Sequence, residues 1–220
     1  MNATVIRPSL ESRPARRDGM RNIVVTALAA WLVLVLSLGA LGAFIAAPGT
    51  PPVPMGLAVA VPLVVFFASL RLAPAFREFV VSLDLRLVAG IQAWRWAGLG
   101  FLSLYAHKIL PAVFALPAGL GDMAIGFAAP WMVLALARHP GFAASGAFVR
   151  WNILGILDLV VAISIGTASA FLASAVPGEV STAPMAALPL LLIPAFLVPL
   201  FLMLHATALI QSRLLVRGRV

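Results

Sequence analysis

Residues 23–47 read IVVTALAAWLVLVLSLGALGAFIAA, 25 residues without one charged side chain. A helix needs about 20 apolar residues to cross a bilayer. The hydrophobic core of a secretory signal spans only roughly 7–15. This run is longer, and Pro48 directly follows the best small-residue site, so it reads as an uncleaved first span. The whole chain has the same character. It is 63% hydrophobic and only 10% charged, with a mean hydropathy of +1.09. Soluble domains carry about 25% charged residues, so 220 residues of this composition cannot coat a soluble globule.

Working outward from that run, residues 1–22 are polar and basic and read as a disordered cytoplasmic tail. Residues 48–54 form a Pro/Gly turn, and a second span follows at about 55–72. The stretch 74–86 mixes Arg77, Glu78, Asp84 and Arg86 with Phe76, Phe79, Val80 and Leu83. It is too charged to cross and reads as an amphipathic segment at the cytoplasmic face. The third span has two registers. One, at about 87–107, puts Arg95 inside the apolar layer. The other, at about 96–116, leaves Trp94-Arg95-Trp96 as an interfacial anchor but buries His107 and Lys108. The first is preferred, because Lys108 then reaches the outer face. Further spans fall at about 117–137, 151–172 and 186–210, and 211–220 is a basic cytoplasmic tail. The expected fold is therefore an all-α polytopic transmembrane helical bundle of about six spans.

Charge sets its orientation. Thirteen arginines lie in the tails and in the 71–86 and 138–150 loops, whereas Lys108 stands alone on the opposite side. Positive residues collect on the cytoplasmic side, which predicts N-in/C-in in a bacterial plasma membrane. The net charge of +8 follows from the same placement. No basic cluster is interleaved with aromatics on a soluble module, so nucleic acid is not an expected partner. The chain has no cysteine, which excludes disulfides and thiolate chemistry. There is no Gly-rich phosphate loop, HExxH or GxSxG motif either. No cofactor and no metal is implied.

Ionisable side chains within apolar spans are costly and turn toward the bundle interior. Asp158 shares a helical stripe with Gly155, Ala162, Gly166 and Ser169, and Asp122 shares one with Ala118, Gly126 and Ala129. Both stripes are small, as helix contacts in membranes require. Counted from the cytoplasmic ends of their spans, Arg95, Asp158 and His205 stand about five to eight residues in, or one level at about 1.5 Å per residue. Asn152 and Gln92 lie nearer the surface. This predicts an inner cluster of Arg95, Asp158 and His205. Asp122 is expected in a separate outer cluster with Tyr105 and His107, so that a paired-carboxylate site is not expected. Taken alone, Arg95 reads best as snorkelling beside Trp94 and Trp96. Asp122 also reads as a cap at the outer end of its helix, after a broken Pro117–Gly121 start. The plain reading of Asp158 is an ion pair that fixes helix packing. Pro184, Pro189, Pro194 and Pro199 recur every five residues and predict a bent sixth span.

The stretch Leu110-Pro-Ala-Val-Phe-Ala-Leu-Pro-Ala-Gly-Leu-Gly-Asp122, with Gly126, Ala129-Pro130, Trp151-Asn152, Gly155 and Asp158-Leu159, resembles a group of uncharacterised bacterial multi-pass integral membrane proteins. The resemblance covers about residues 87–212. No activity attaches to that group. It singles out Asp122, Asn152, Asp158 and His205 as a set, and it excludes His107 and Lys108.

The function expected is a small transporter or ligand-binding membrane protein with an intramembrane polar site near the cytoplasmic face. Its partners would be the lipid bilayer, a small-molecule, proton or ion ligand, and a second copy of itself, since six spans are few for a transporter. Two alternatives stand beside it. One is a membrane-embedded enzyme acting on a lipid or isoprenoid, with Asp158 and His205 as acid and base. The other is a structural or assembly subunit in which the polar residues only join helices.

Overall fold

The computed structural model describes residues 12–47, 49–172 and 179–218, and among these the chain is helical throughout and contains no strand. In order the helices are α1 (Ser12–Ala40), α2 (Val53–Leu72), α3 (Pro74–Val81), α4 (Leu85–Ile91), α5 (Leu99–Ala106), α6 (Ala112–Arg138), α7 (Gly146–Leu172) and α8 (Val198–Val216). A 3-10 segment, Gln92–Gly98, joins α4 to α5, and a π-helical turn, Ile193–Leu197, leads into α8. Five helical stretches are long and apolar enough to cross a membrane: Asp18–Ala40, Val53–Leu72, Ala112–Arg138, Gly146–Leu172 and Ile193–Val216.

Several expected boundaries move. The first helix starts at Ser12, inside the stretch read as a disordered tail, and it stops at Ala40, where residues 41–44 turn. Gly42 makes that turn with φ +70°, a conformation that suits glycine. The α2 helix matches its expected span closely. The helices of the fourth and fifth expected spans, α6 and α7, begin about five residues before the expected starts, at Ala112 and Gly146. Pro117 therefore lies inside a continuous α6 and does not mark a broken start. The last helix begins later and runs through to Val216, into the predicted tail. Its prolines divide the work. Pro184 lies in a 3-10 turn and Pro189 in the bend after it, Pro194 sits in the π-helical turn, and Pro199 occupies the first turn of α8. A proline ring clashes with the carbonyl four residues earlier, and a wider π turn ahead of Pro199 relieves that crowding. The predicted loop at Pro177 and Gly178 and the extreme tail residues lie outside the described residues.

The third expected span is helical from Leu85 to Ala106 but changes pitch in the middle. Its buried residues explain why. Gln92, Arg95 and Gly98 recur every third residue and all are buried, while Trp94 and Trp96 between them are exposed. A 3-10 helix has three residues per turn, so this spacing stays on one face only if the helix tightens. The face packs on α6 at very short range. A Cβ on Gly126 would lie 2.7 Å from the Trp96 nitrogen, and one on Gly98 would lie 2.8 Å from the Gly119 carbonyl oxygen. The backbones come this close because each contact has a glycine on at least one side.

The buried core runs along α4, α6, α7 and α8. Val88, Ala89, Ala129, Phe148, Trp151 and Ala208 form its main cluster at one end. At that end Gln211 of α8 donates from Nε2 to the Val80 and Leu83 carbonyls, at 2.9 and 3.1 Å. That ties the last helix to the turn after α3. At the other end Phe101, Leu110, Phe114, Ala115 and Met185 pack together. Here α5 stops in a turn with Lys108 at φ +59°. The Lys108 nitrogen donates to Tyr105 and the Ile109 nitrogen to Leu104, so two end carbonyls are satisfied. The α1 helix is peripheral. It packs on α3, and it lays Trp31 on Phe196, with ring centroids 4.5 Å apart, and Val35 beside Leu191 and Ala195.

Candidate functional site

One buried arginine organises the middle of the bundle. Arg95 is 2% exposed and arrives on the 3-10 segment, pointing into the gap between α6, α7 and α8. Its Nε donates to Asp122 Oδ1 at 2.7 Å. Its Nη2 donates to Asp158 Oδ2. Its Nη1 donates to the Gly155 carbonyl at 3.2 Å and meets His205 Nε2 at 3.1 Å. On the far side of the ring, His205 Nδ1 meets Asn152 Oδ1 at 2.9 Å, and Asn152 Nδ2 donates to the Phe148 carbonyl at 2.9 Å. Trp151 closes the ring's flank, edge-on with centroids 5.6 Å apart.

Proton positions follow from donor counting. A guanidinium has five N–H donors and no acceptor. His205 Nε2 must therefore accept from Arg95, which leaves the ring hydrogen on Nδ1, pointing at the Asn152 carbonyl oxygen. The ring is held as a neutral tautomer by its two neighbours. The charged groups that remain are one guanidinium and two carboxylates.

Two glycines make the room. A Cβ at Gly121 would fall on the Asp158 carboxylate, and one at Gly155 would fall on the His205 ring. The small stripes on α6 and α7 thus serve the network directly. Ala118 and Ala129 are buried in the same α6 face that carries Asp122, and Gly155 supplies a carbonyl to Arg95.

The five residues singled out from sequence, Asp158, His205, Arg95, Asn152 and Asp122, come together in this one network. The division into two levels does not hold. Asp122 lies beside Asp158 on the same arginine, not in an outer group. His107 sits at the exposed turn after α5 with Nδ1 on the Ser103 carbonyl at 2.8 Å, and Tyr105 is exposed. Asp122 is not a helix cap either, since α6 begins well before it, at Ala112. Arg95 does not snorkel, although its flanking tryptophans do face outward. The network also does not lie toward one end. Arg95, Asp122, Asp158 and His205 each fall near the middle of their helical stretches, 85–106, Ala112–Arg138, Gly146–Leu172 and Ile193–Val216. The expected depths fail because the helices extend beyond the span ends that the sequence suggests. Five residues missed at an end shift the count by about 7.5 Å at about 1.5 Å each.

Two further features go beyond the sequence reading, which places Gln92 nearer the surface and gives no cavity. Gln92 is 1% exposed, donates only a long 3.4 Å bond to the Phe201 carbonyl, and leaves its Oε1 without a partner. A cavity of about 140 Å³ runs from residues 44–47, 50 and 52 and from the turn at 182–186 down to Asp122. Its wall is mostly apolar, with Phe101, Phe114, Leu159 and Ile163, and Thr182 stands near its rim. Thr182 is pinned by its hydroxyl donating to the Gly166 carbonyl at 2.5 Å. Only the three-residue repeat of Gln92 with Arg95 was visible in the sequence. The cavity arises from chain segments distant in sequence. Among the described residues no group of three or more His, Asp or Glu side chains is placed to hold a metal ion.

A family model described as a domain of unknown function (DUF8737) matches residues 52–213. The chain belongs to that family. The match takes in α2 to α7, most of α8 and every residue of the Arg95 network, and it leaves out α1. It reaches further toward the N-terminus than the expected resemblance over residues 87–212. No curated protein and no solved structure matches the chain.

Proposed function

We propose that this chain is a small transporter or ligand-binding protein of the bacterial plasma membrane, with a mid-membrane site around Arg95 that exchanges a proton for a cationic ligand. In this reading the chain crosses six times. The third crossing is residues 85–106, which rise about 36 Å at about 1.5 Å per α residue and about 2.0 Å per 3-10 residue. A hydrocarbon core is about 30 Å thick. The arginines at 71, 77, 86, 138, 150, 213 and 217 stand at one end of the bundle and Lys108 at the other. The positive-inside rule then puts both termini in the cytoplasm.

The observation that carries the functional reading is the charge count. Two carboxylates share one guanidinium, and the adjacent histidine is held neutral. An ionised carboxylate left uncompensated in a low-dielectric interior costs several kcal/mol. The site is therefore complete only with one more positive charge, either a proton on a carboxylate or a bound cation. A purely structural ion pair needs no surplus. The enzyme alternative asks Asp158 and His205 to pass a proton directly or through one water. Here the Arg95 guanidinium stands between them and cannot be deprotonated.

The test is charge movement. Proteoliposomes on a solid-supported membrane, given an alkaline-to-acidic jump, should show a transient current in the wild type that is lost in Asp158→Asn at unchanged folded yield. An equal transient in Asp158→Asn and in Asp122→Asn would leave only a structural role.

A further inference from the structure

The cavity above Asp122 has a shape and a charge that together specify a ligand class, and this step rests on the function just proposed. We infer that it binds an amphipathic organic monocation, with an ammonium head at Asp122 and an apolar body about the size of one aromatic ring. Three observations converge. First, the cavity measures about 140 Å³, and an apolar protein cavity of roughly 150 Å³ takes up benzene. Second, its wall is apolar and rigidly built. Phe101 and Phe114 stack edge to face with centroids 5.4 Å apart, and Gly166 lets Phe114 lie against α7. Third, Asp122 is the one ionisable side chain among the described residues of the lining.

Only one oxygen of Asp122 is engaged by Arg95. The groups that face it from every packed element are Arg95 on the 3-10 segment and Asp158 on α7, with His205 of α8 behind the guanidinium. An anionic head would add a third negative charge to this set. A neutral ligand would leave the surplus charge uncompensated. Among the described residues no three His, Asp or Glu side chains are grouped to hold a metal ion. An ammonium supplies the missing charge and N–H donors, and the apolar body fills the space that water would occupy poorly. Binding of the cation displaces the proton that otherwise neutralises the carboxylate pair. Affinity should accordingly fall as the solution becomes more acidic, with proton released as amine is taken up.

Calorimetric titration of the full chain in detergent micelles tests this with three probes of one shape: 2-phenylethylamine, 2-phenylethanol and 3-phenylpropionate. The amine should bind roughly tenfold or more tightly than the alcohol, as a buried charged hydrogen bond implies, and the carboxylate should not bind. Asp122→Asn should abolish the preference for the amine. Should that variant fold poorly, Ala162→Phe, which fills the cavity from α7, should block the amine at unchanged folded yield. Equal binding of amine and alcohol, preference for the carboxylate, or undiminished amine binding in Ala162→Phe would overturn the ligand class. If the amine fails but the transient survives in the wild type and is lost in Asp158→Asn, the ligand is wrong and the proposed function stands. If both signals are absent, both fall.

Discussion

The α1 helix and the 3-10 segment 92–98 are both helical stretches inside an apolar chain, yet they are held by opposite means. Along α1, Ile23, Val25, Val33, Leu34 and Leu36 are exposed, and contact rests on Trp31, Val35 and Leu38. Such a surface suits a lipid solvent and asks nothing specific of its neighbours. The 3-10 segment turns a glutamine, an arginine and a glycine inward, and it meets α6 backbone to backbone. Loose apolar contact tolerates change, because one hydrophobe replaces another. A charged network in a dry interior does not, because each partner removed leaves another unsatisfied. The family match covers the second region and omits the first.

The sharpest way to break this contrast is Arg95→Ala. It leaves two carboxylates buried without their cation, and removing one member of a buried ion pair costs about 3–5 kcal/mol. Folded yield in membranes should collapse. If Arg95→Ala accumulates like the wild type, the network is not what holds the middle of the bundle. Next come Gly121→Ala and Gly155→Ala, each placing a methyl group on a partner side chain. Overpacking of this kind costs about 1–3 kcal/mol, read as a lower unfolding temperature in detergent. No shift would mean the close approach relaxes freely.

Asp158→Asn should be milder than Arg95→Ala, by the surplus of carboxylates. It removes one negative charge from a site with one too many, so a loss within about 1–2 kcal/mol is expected. Comparing the two variants side by side in one thermal assay sharpens the charge count, and equal losses would contradict it. The smallest effect belongs to α1. Val33→Ala, on an exposed position, should stay within about 0.5 kcal/mol. A larger loss would show that α1 packs against something outside this chain.

The helical, membrane-like character was legible from charge-free runs such as 23–47, because composition alone excludes a soluble coat. The members of the site were legible as well. A charge amid apolar residues on a small-residue stripe has few places to go, which picks out Asp122 and Asp158; Arg95 and His205 follow from depth along their spans, and Asn152 from the resemblance. Their arrangement was not legible. It depends on helix ends, and α6 and α7 begin before Pro117 and Trp151, the starts that the sequence suggests. It depended also on the pitch of 92–98, which tightens only because α6 offers Gly119 and Gly126 to receive it. The space beside Asp122 comes from turns far apart in the chain, which no local pattern encodes.

The donor-only chemistry of Arg95 has a directional consequence. The guanidinium separates the acceptors around it into two compartments, Asp122 and Asp158 on one side and the His205–Asn152 pair on the other. A proton arriving at His205 would set two N–H groups head to head and expel the ring from Arg95. A proton arriving at either carboxylate meets no such conflict. Acid entering from the cavity can thus load the site quietly, whereas acid reaching it along α8 would have to dismantle it first.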